Sequence, residues 1–127
     1  MAGPKGSKYY DIFLDYQISL EHKQKGNILD EYCFKLLKKI QETGSLKSAA
    51  DELNVSYRKA WGNVEDIEQG LGFKLLERQR GGASGGKTLL TDDGEKLIEA
   101  HEALREEFNA AIKMITKKFF NALNTDE

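Results

Sequence analysis

Apolar positions recur along this chain at helical spacing in three places. Leu29, Cys33, Leu36, Leu37 and Ile40 predict an amphipathic helix over residues 30–42, stopped by Gly44 as a left-handed cap. Ser45 suits the N-cap of the next helix, and "LKSAADEL" makes that helix about two turns long, with Ala49 and Ala50 small enough to admit a neighbouring helix. Asn54 tolerates the turn that ends it. Ser56 is a second N-cap, after which Tyr57, Ala60, Trp61, Val64, Ile67 and Leu71 form one continuous face, closed by Gly70 and Gly72. A short helix with an Ala-Ala contact, a three-residue turn and a longer helix is the helix-turn-helix layout. The third stretch starts at a cap on Thr91 or Asp92 and runs to about Asn124. Its apolar positions are Leu97, Ile98, Leu104, Phe108, Ala111, Ile112, Ile115, Phe119 and Leu123.

Other segments read as extended. "YYDIFLDYQISLE", Tyr9 to Glu21, is rich in aromatic and β-branched residues and predicts one or two strands, followed by the polar loop "HKQKGN". Phe73–Arg78 and Lys87–Thr91 flank a glycine-rich connection and predict a β-hairpin, which after a helix-turn-helix is a wing. The fold class expected is mainly α with small β: a winged helix-turn-helix with a long C-terminal dimerisation helix. Residues 1–8 read as a flexible arm, 9–90 as the winged domain with its N-terminal strands, and 91–127 as the long helix. At 1.5 Å per residue that helix is about 50 Å long, more than a small domain covers. Its overhanging stripe is expected to meet a second copy through Leu97, His101, Leu104, Phe108, Ile112, Ile115 and Phe119.

Composition narrows the classes. With 127 residues, 39% hydrophobic and 31% charged, the chain suits one soluble globular domain. No apolar run approaches a membrane span, and "MAGPKGSK" has no signal-like apolar core, so a cytoplasmic location with no membrane partner is expected. The lone Cys33 lies on an apolar stripe and reads as a small buried hydrophobe. No zinc spacing, cofactor motif or catalytic constellation is visible; His22 sits in a polar loop and His101 on a helix between apolar rows. No metal, cofactor or enzymatic activity is expected. The net charge of −2 conceals a polarised chain: residues 72–90 carry +3, and residues 91–107 carry −5. A near-neutral total can thus hide a local anion-binding face.

"GGASGGKT", Gly81 to Thr88, matches the nucleotide-binding pattern G-x-x-x-x-G-K-[ST]. That loop needs a buried strand before it and a helix starting at its Lys-Thr. Here Lys87-Thr88 runs into the extended "LLT", and the acids that open the following helix would repel a triphosphate. The chain also lacks βαβ units, so the match is read as accidental. The alternative use of a glycine-rich basic tip is close approach to a phosphate backbone, with Arg78, Arg80, Gly81, Gly82, Ser84, Gly85, Gly86 and Lys87 as candidates. On the recognition helix, Arg58, Lys59, Gly62 and Asn63 are expected outward in the first turns. Arg58 suits guanine and Asn63 adenine. Glu65, Asp66 and Glu68 follow and would be repelled, leaving the N-terminal half for the groove. Ser45, Ser56 and Tyr57 can reach phosphates, although Tyr57 and Trp61 read first as core.

Between Leu36 and Ile98, "ETGS" before a short "AA" helix, "SYRKAW" opening the recognition helix, and "GG…GG" running into "LTDDGEKL" are features the chain shares with a known family. The segment resembles the N-terminal DNA-binding domain of ModE-type, molybdate-responsive transcription regulators, relatives of the LysR-type winged helices. The resemblance implies a homodimer whose recognition helices and wings straddle a palindromic operator in double-stranded DNA. By position it puts Ser56, Tyr57, Arg58 and Lys59 at the groove and Arg80 with Gly81 to Lys87 at the wing tip. Ala83-Ser84 and the Lys-Thr depart from the family's usual loop. The oxyanion-binding domain of full-length members does not follow in these residues, so molybdate or another oxyanion is not expected as a ligand. Beside this reading stands a protein-interaction or assembly module that uses a winged helix without specific DNA binding.

Overall fold

The computed structural model describes residue 6, residues 8–79 and residues 87–124. Among them the order is β1 (Leu20–His22), β2 (Gly26–Leu29), α1 (Glu31–Thr43), α2 (Leu46–Glu52), α3 (Tyr57–Leu71), β3 (Leu76–Gln79), β4 (Lys87–Leu90) and α4 (Asp92–Asn124). The chain divides into two compact units, one of Gln17–His101 and one of Met1–Tyr16 with Glu102–Glu127.

In the first unit each helix starts at a polar side chain that replaces a missing backbone partner. Asp30 accepts from the Cys33 amide at 2.9 Å, Ser45 from Ser48 at 3.0 Å, Ser56 from Lys59 at 3.0 Å, and Thr91 from Gly94 at 3.1 Å. Gly44 and Gly72 close α1 and α3 in the left-handed region, at φ 69° and 88°. Asn54 turns the chain between α2 and α3 at φ 58°. The helices and the hairpin roots enclose a core whose fully buried members include Leu29, Leu36, Leu37, Ile40, Leu46, Val64, Ile67, Leu75 and Ile98.

The wing is an antiparallel pair in which Leu76 faces Leu90 and Gln79 faces Lys87. Its root is fastened from three directions. The Glu68 carboxylate, on α3, accepts from the Leu75 and Leu76 amides at 2.7 and 3.1 Å. Thr91 reaches back, its hydroxyl donating to Lys74 O and its amide to Leu75 O, both at 2.9 Å. Thr88 donates its amide to Gly44 O at 2.9 Å and accepts from the Leu46 amide at 3.4 Å. At Gly94 a Cβ would lie 2.5 Å from Leu75 O. Only glycine lets α4 start so close to the wing backbone.

The early strands differ from expectation. Of Tyr9–Glu21 only residues 20–21 enter a strand; Leu20–His22 pairs antiparallel with Gly26–Leu29 through a turn over residues 23–25. His22 Nδ1 accepts from the Gln24 and Lys25 amides, both at 3.1 Å, and so closes that turn. Strand propensity describes a fit to a pleated, half-buried surface, and residues 12–19 have no partner strand. In the second unit, the Tyr16 hydroxyl donates to the Asn109 side-chain oxygen, its ring stacks on Phe108 at 5.5 Å, and the Tyr9 ring lies 5.9 Å from Phe120. The aromatic residues that resemble a strand thus dress a helix.

Candidate nucleic-acid interface

Helix α3 buries Ala60, Val64 and Ile67, and this fixes the direction of every other side chain on it. Arg58 and Lys59 are exposed in the first turn, and Gly62 and Asn63 are half-buried. Two flanks, each with an aromatic–cation contact, border the outer face.

On the flank toward the wing, the Arg78 guanidinium of β3 lies 3.5 Å from the Trp61 ring centroid and 5.9 Å from that of Tyr57. Its Nη2 donates to Tyr57 Oη at 2.9 Å. Tyr57 is therefore not core: it is 47% exposed, because as the first residue of α3 it lies past the reach of the packed helices. Trp61 is half-buried against the core, as expected, but its outer face carries an arginine. On the flank toward α1, the Lys59 ammonium lies 5.4 Å from the Tyr32 ring, and the Tyr32 hydroxyl donates to Asn63 Oδ1 at 2.9 Å. Burial, then nearby Cys33 and Asp30, raises the Tyr32 pKa, so it stays a donor at neutral pH. The oxygen with which Asn63 would accept from adenine already takes a hydrogen bond from α1.

The acids sort differently from the reading of a uniformly repelled second half. Glu65 and Asp66 are exposed. Glu68 is turned inward, 8% exposed, as the anchor of the wing root, with Lys74 Nζ 3.6 Å from its other oxygen. Ser45 and Ser56 both use their hydroxyls as helix caps.

The nucleotide-loop pattern fails where its chemistry would act. Lys87-Thr88 lies in β4, α4 begins at Asp92, and Thr88 is 7% exposed with its hydroxyl toward the α1–α2 turn. Lys87 is exposed at the start of that strand. Arg80, Gly81, Gly82, Ala83, Ser84, Gly85 and Gly86 lie outside the described residues.

On α4 the expected contact row divides in two. Leu97 packs on the core of the first unit, and His101 stacks on Phe34 at 3.6 Å with its Nε2 3.8 Å from Glu31 Oε1. Leu104, Phe108, Ile115 and Phe119 are exposed, Ile112 is half-buried, and Met114 and Leu123 add to the apolar surface. Among the described residues no helix is long and apolar enough to cross a membrane, and no group of three His, Cys, Asp or Glu is placed to hold a metal.

Three features escaped sequence reasoning: the Arg78–Trp61–Tyr57 contact, the hold of Tyr32 on Lys59 and Asn63, and Lys25, whose Nζ donates to Gln69 O and Gly70 O at the end of α3. The i,i+4 spacing of Tyr57 and Trp61 was the one available signal for the first. The other two join residues more than twenty-five positions apart.

A short helix, a tight turn, a capped second helix and a two-stranded hairpin pinned to both define a winged helix-turn-helix domain. Residues 34–95 match the family described as bacterial regulatory helix-turn-helix protein, lysR family, and the chain carries a LysR-type helix-turn-helix domain. It is similar to the transcriptional regulator ModE of Haemophilus influenzae, 38% identical over 81 residues, which cover 64% of this chain and 32% of that protein. It is also similar to the molybdenum-pterin-binding protein MopB of Rhodobacter capsulatus, 36% identical over 91 residues, 72% of this chain and 32% of that protein. The chain thus spans about a third of the length of the curated relatives it matches. A solved structure, that of the CbnR DNA-binding domain in complex with DNA, gives a TM-score of 0.49 at 27% identity, over 61% of this chain and 84% of that one.

Proposed function

We propose that the chain is a sequence-specific, double-stranded DNA-binding transcription regulator that acts as a homodimer, with α3 in the major groove and the wing on the phosphate backbone. One observation carries this reading. Arg58, Lys59 and Arg78 are exposed around the first turn of α3 and the adjoining wing strand, and among the described residues none of them pairs with an acid. By contrast, Lys39 pairs with Glu42 and Glu52, and Lys74 with Glu68. Uncompensated charge beside an exposed helix start attracts phosphates independently of sequence, and Arg58 offers the fork that reads guanine. Lys87 and the glycine-rich tip with Arg80 extend the backbone contact, and Ser56 and Tyr57 flank it. The similarity to ModE regulators supports the same function.

The homodimer rests on α4. Its exposed Leu104, Phe108, Ile115 and Phe119 form a stripe suited to a second copy. Residues 92–107 carry −5, whereas residues 108–124 carry +3 through Lys113, Lys117 and Lys118. An antiparallel pair sets each acidic half against a basic one; a parallel pair sets like on like.

Titrating a labelled promoter fragment against competitor DNA at rising salt tests the proposal. Specific binding with a steep salt slope is expected. Arg58→Ala is expected to cost about 1–3 kcal/mol and relax base preference, whereas Lys87→Ala weakens all sequences alike. If both variants bind like the parent, the face is misassigned. Selection from random fragments is expected to enrich a palindrome. No binding at low salt, with stable co-purification of another protein, would instead favour the assembly module.

A further inference from the structure

The Arg78 side chain is exposed and cationic, yet it is not loose. Its guanidinium carbon lies over the indole of Trp61, 3.5 Å from the ring centroid, and one of its nitrogens donates to the Tyr57 hydroxyl at 2.9 Å. Elsewhere in the same unit an exposed cation is held by a carboxylate, as Lys39 is by Glu42 and Glu52, and its charge is then largely neutralised. An aromatic face restrains a guanidinium without cancelling its charge. The phenol completes the arrangement. Because the Tyr57 oxygen accepts from Arg78, its own proton is free to donate elsewhere. What results is a cation with unused N–H donors beside an O–H donor. That combination recognises an anion with several acceptor oxygens. The three residues come from two elements, Tyr57 and Trp61 from α3 and Arg78 from β3, so the same contact also sets where the wing stands relative to the recognition helix.

We infer that Trp61 is a positioning residue for duplex binding: its indole face holds the Arg78 guanidinium where, together with the Tyr57 hydroxyl, it grips one backbone phosphate. The inference rests on the DNA-binding function proposed above. Trp61 itself touches no DNA. It limits the rotamers of Arg78, so less freedom is lost when the phosphate is bound, and it makes the first strand of the wing and the first turn of α3 meet the backbone as one unit. Arg58 and Lys59 do not depend on it, so sequence preference is set by a neighbouring but separate part of the face.

The whole chain is titrated with a fluorescein-labelled mixed-sequence DNA duplex at several salt concentrations. The variants are Arg78→Gln, Trp61→Leu, Trp61→Phe and the double variant Trp61→Leu/Arg78→Gln. Arg78→Gln is expected to weaken binding about tenfold and to lower the salt slope by about one phosphate contact. Trp61→Leu keeps apolar bulk but removes the ring, and is expected to weaken binding about threefold or more. Trp61→Phe restores a π face and is expected within about twofold of the parent. The double variant should bind no worse than Arg78→Gln alone, because an indole without its arginine has nothing to position. Trp61 is the single tryptophan of the chain, so its emission reports on this contact even if the leucine variant does not fold. Duplex addition should change that emission in the parent and leave it unchanged in Arg78→Gln at equal occupancy. Losses that multiply in the double variant, a phenylalanine variant as weak as the leucine one, or the same emission change in Arg78→Gln would overturn the positioning role while DNA binding stands. A parent chain that ignores the duplex at low salt would overturn the function and this role with it.

Discussion

Glu68 offers a direct test of how the wing is held. Replacing it by alanine deletes a carboxylate that is 8% exposed and accepts from the Leu75 and Leu76 amides at 2.7 and 3.1 Å. Both leucines are buried, so both amides lose their acceptor away from bulk water. Each unsatisfied buried donor costs about 1–3 kcal/mol, which puts Glu68→Ala at about 3 kcal/mol or more. The ion pair with Lys74 adds little, since the lysine side chain is 79% exposed and well screened. Glu68→Gln keeps an acceptor oxygen for both amides and loses only their charge assistance, so about 1 kcal/mol is expected. In thermal unfolding, with about 4–8 °C per kcal/mol in a domain of this size, the alanine variant should melt on the order of 10 °C or more below the parent, and the glutamine variant about 5 °C below. Hydrogen exchange locates the effect: the Leu75 and Leu76 amides should lose protection in Glu68→Ala well before those of Leu36 or Ile40. An alanine variant within about 0.5 kcal/mol of the parent, or one no worse than glutamine, would refute the anchoring role.

Three further outcomes are expected. Gly94→Ala should destabilise by about 1–3 kcal/mol in urea titration, because the new Cβ meets Leu75 O at 2.5 Å, although glycine to alanine within a helix is ordinarily favourable. Burial pushes the Cys33 thiol up from 9.0 to about 11; the folded state thus holds its proton more tightly than the unfolded one, and stability should be full below pH 9 and fall as pH rises from 9 toward 11, a loss abolished in Cys33→Ala. Phe108→Glu or Ile115→Glu should shift the chain from dimer to monomer in sedimentation equilibrium, and Lys117→Glu should weaken the dimer more at low than at high salt; a parent that is monomeric at high concentration removes α4 as the dimer contact.

The parts of this fold that were legible in the sequence are those decided within a few residues. Asp30, Ser45, Ser56 and Thr91 each cap the helix that follows them, and Gly44 and Gly72 end α1 and α3 at positive φ. Each such residue answers a local backbone need that no distant partner alters. The wing was legible for the same reason: apolar arms around glycines admit few other structures. What escaped depended on partners remote in the chain. Tyr9 to Glu21 has strand composition, but a strand exists only beside another strand, and most of that segment found none. Glu68 looked like one more surface acid, since nothing in "DIEQGLG" says that two amides seven and eight residues later will need an acceptor.

The candidate interface divides along the same line. Arg58 and Lys59 follow from helical phase alone, once Ala60, Val64 and Ile67 are known to face inward. Arg78 follows only from the register of the wing against α3, and Thr88 shows how far such register can reverse a motif. In "GGKT" the threonine completes the nucleotide-binding pattern; strand pairing turns its hydroxyl under the α1–α2 turn, 7% exposed, and leaves Lys87 outside. Alternation along β4 decides this, because successive side chains of a strand point to opposite faces. The same alternation on β3 sends Arg78 toward Tyr57 and Trp61 and its neighbour Glu77 the other way. A one-residue slip of β3 would exchange them and present an acid to α3, and a one-residue slip of β4 would bury Lys87 where Thr88 now sits. The hydrogen bonds of Thr88 to Gly44 and Leu46 therefore do more than stabilise: they hold the register that turns Arg78 toward α3 and leaves Lys87 exposed on the other face of the hairpin.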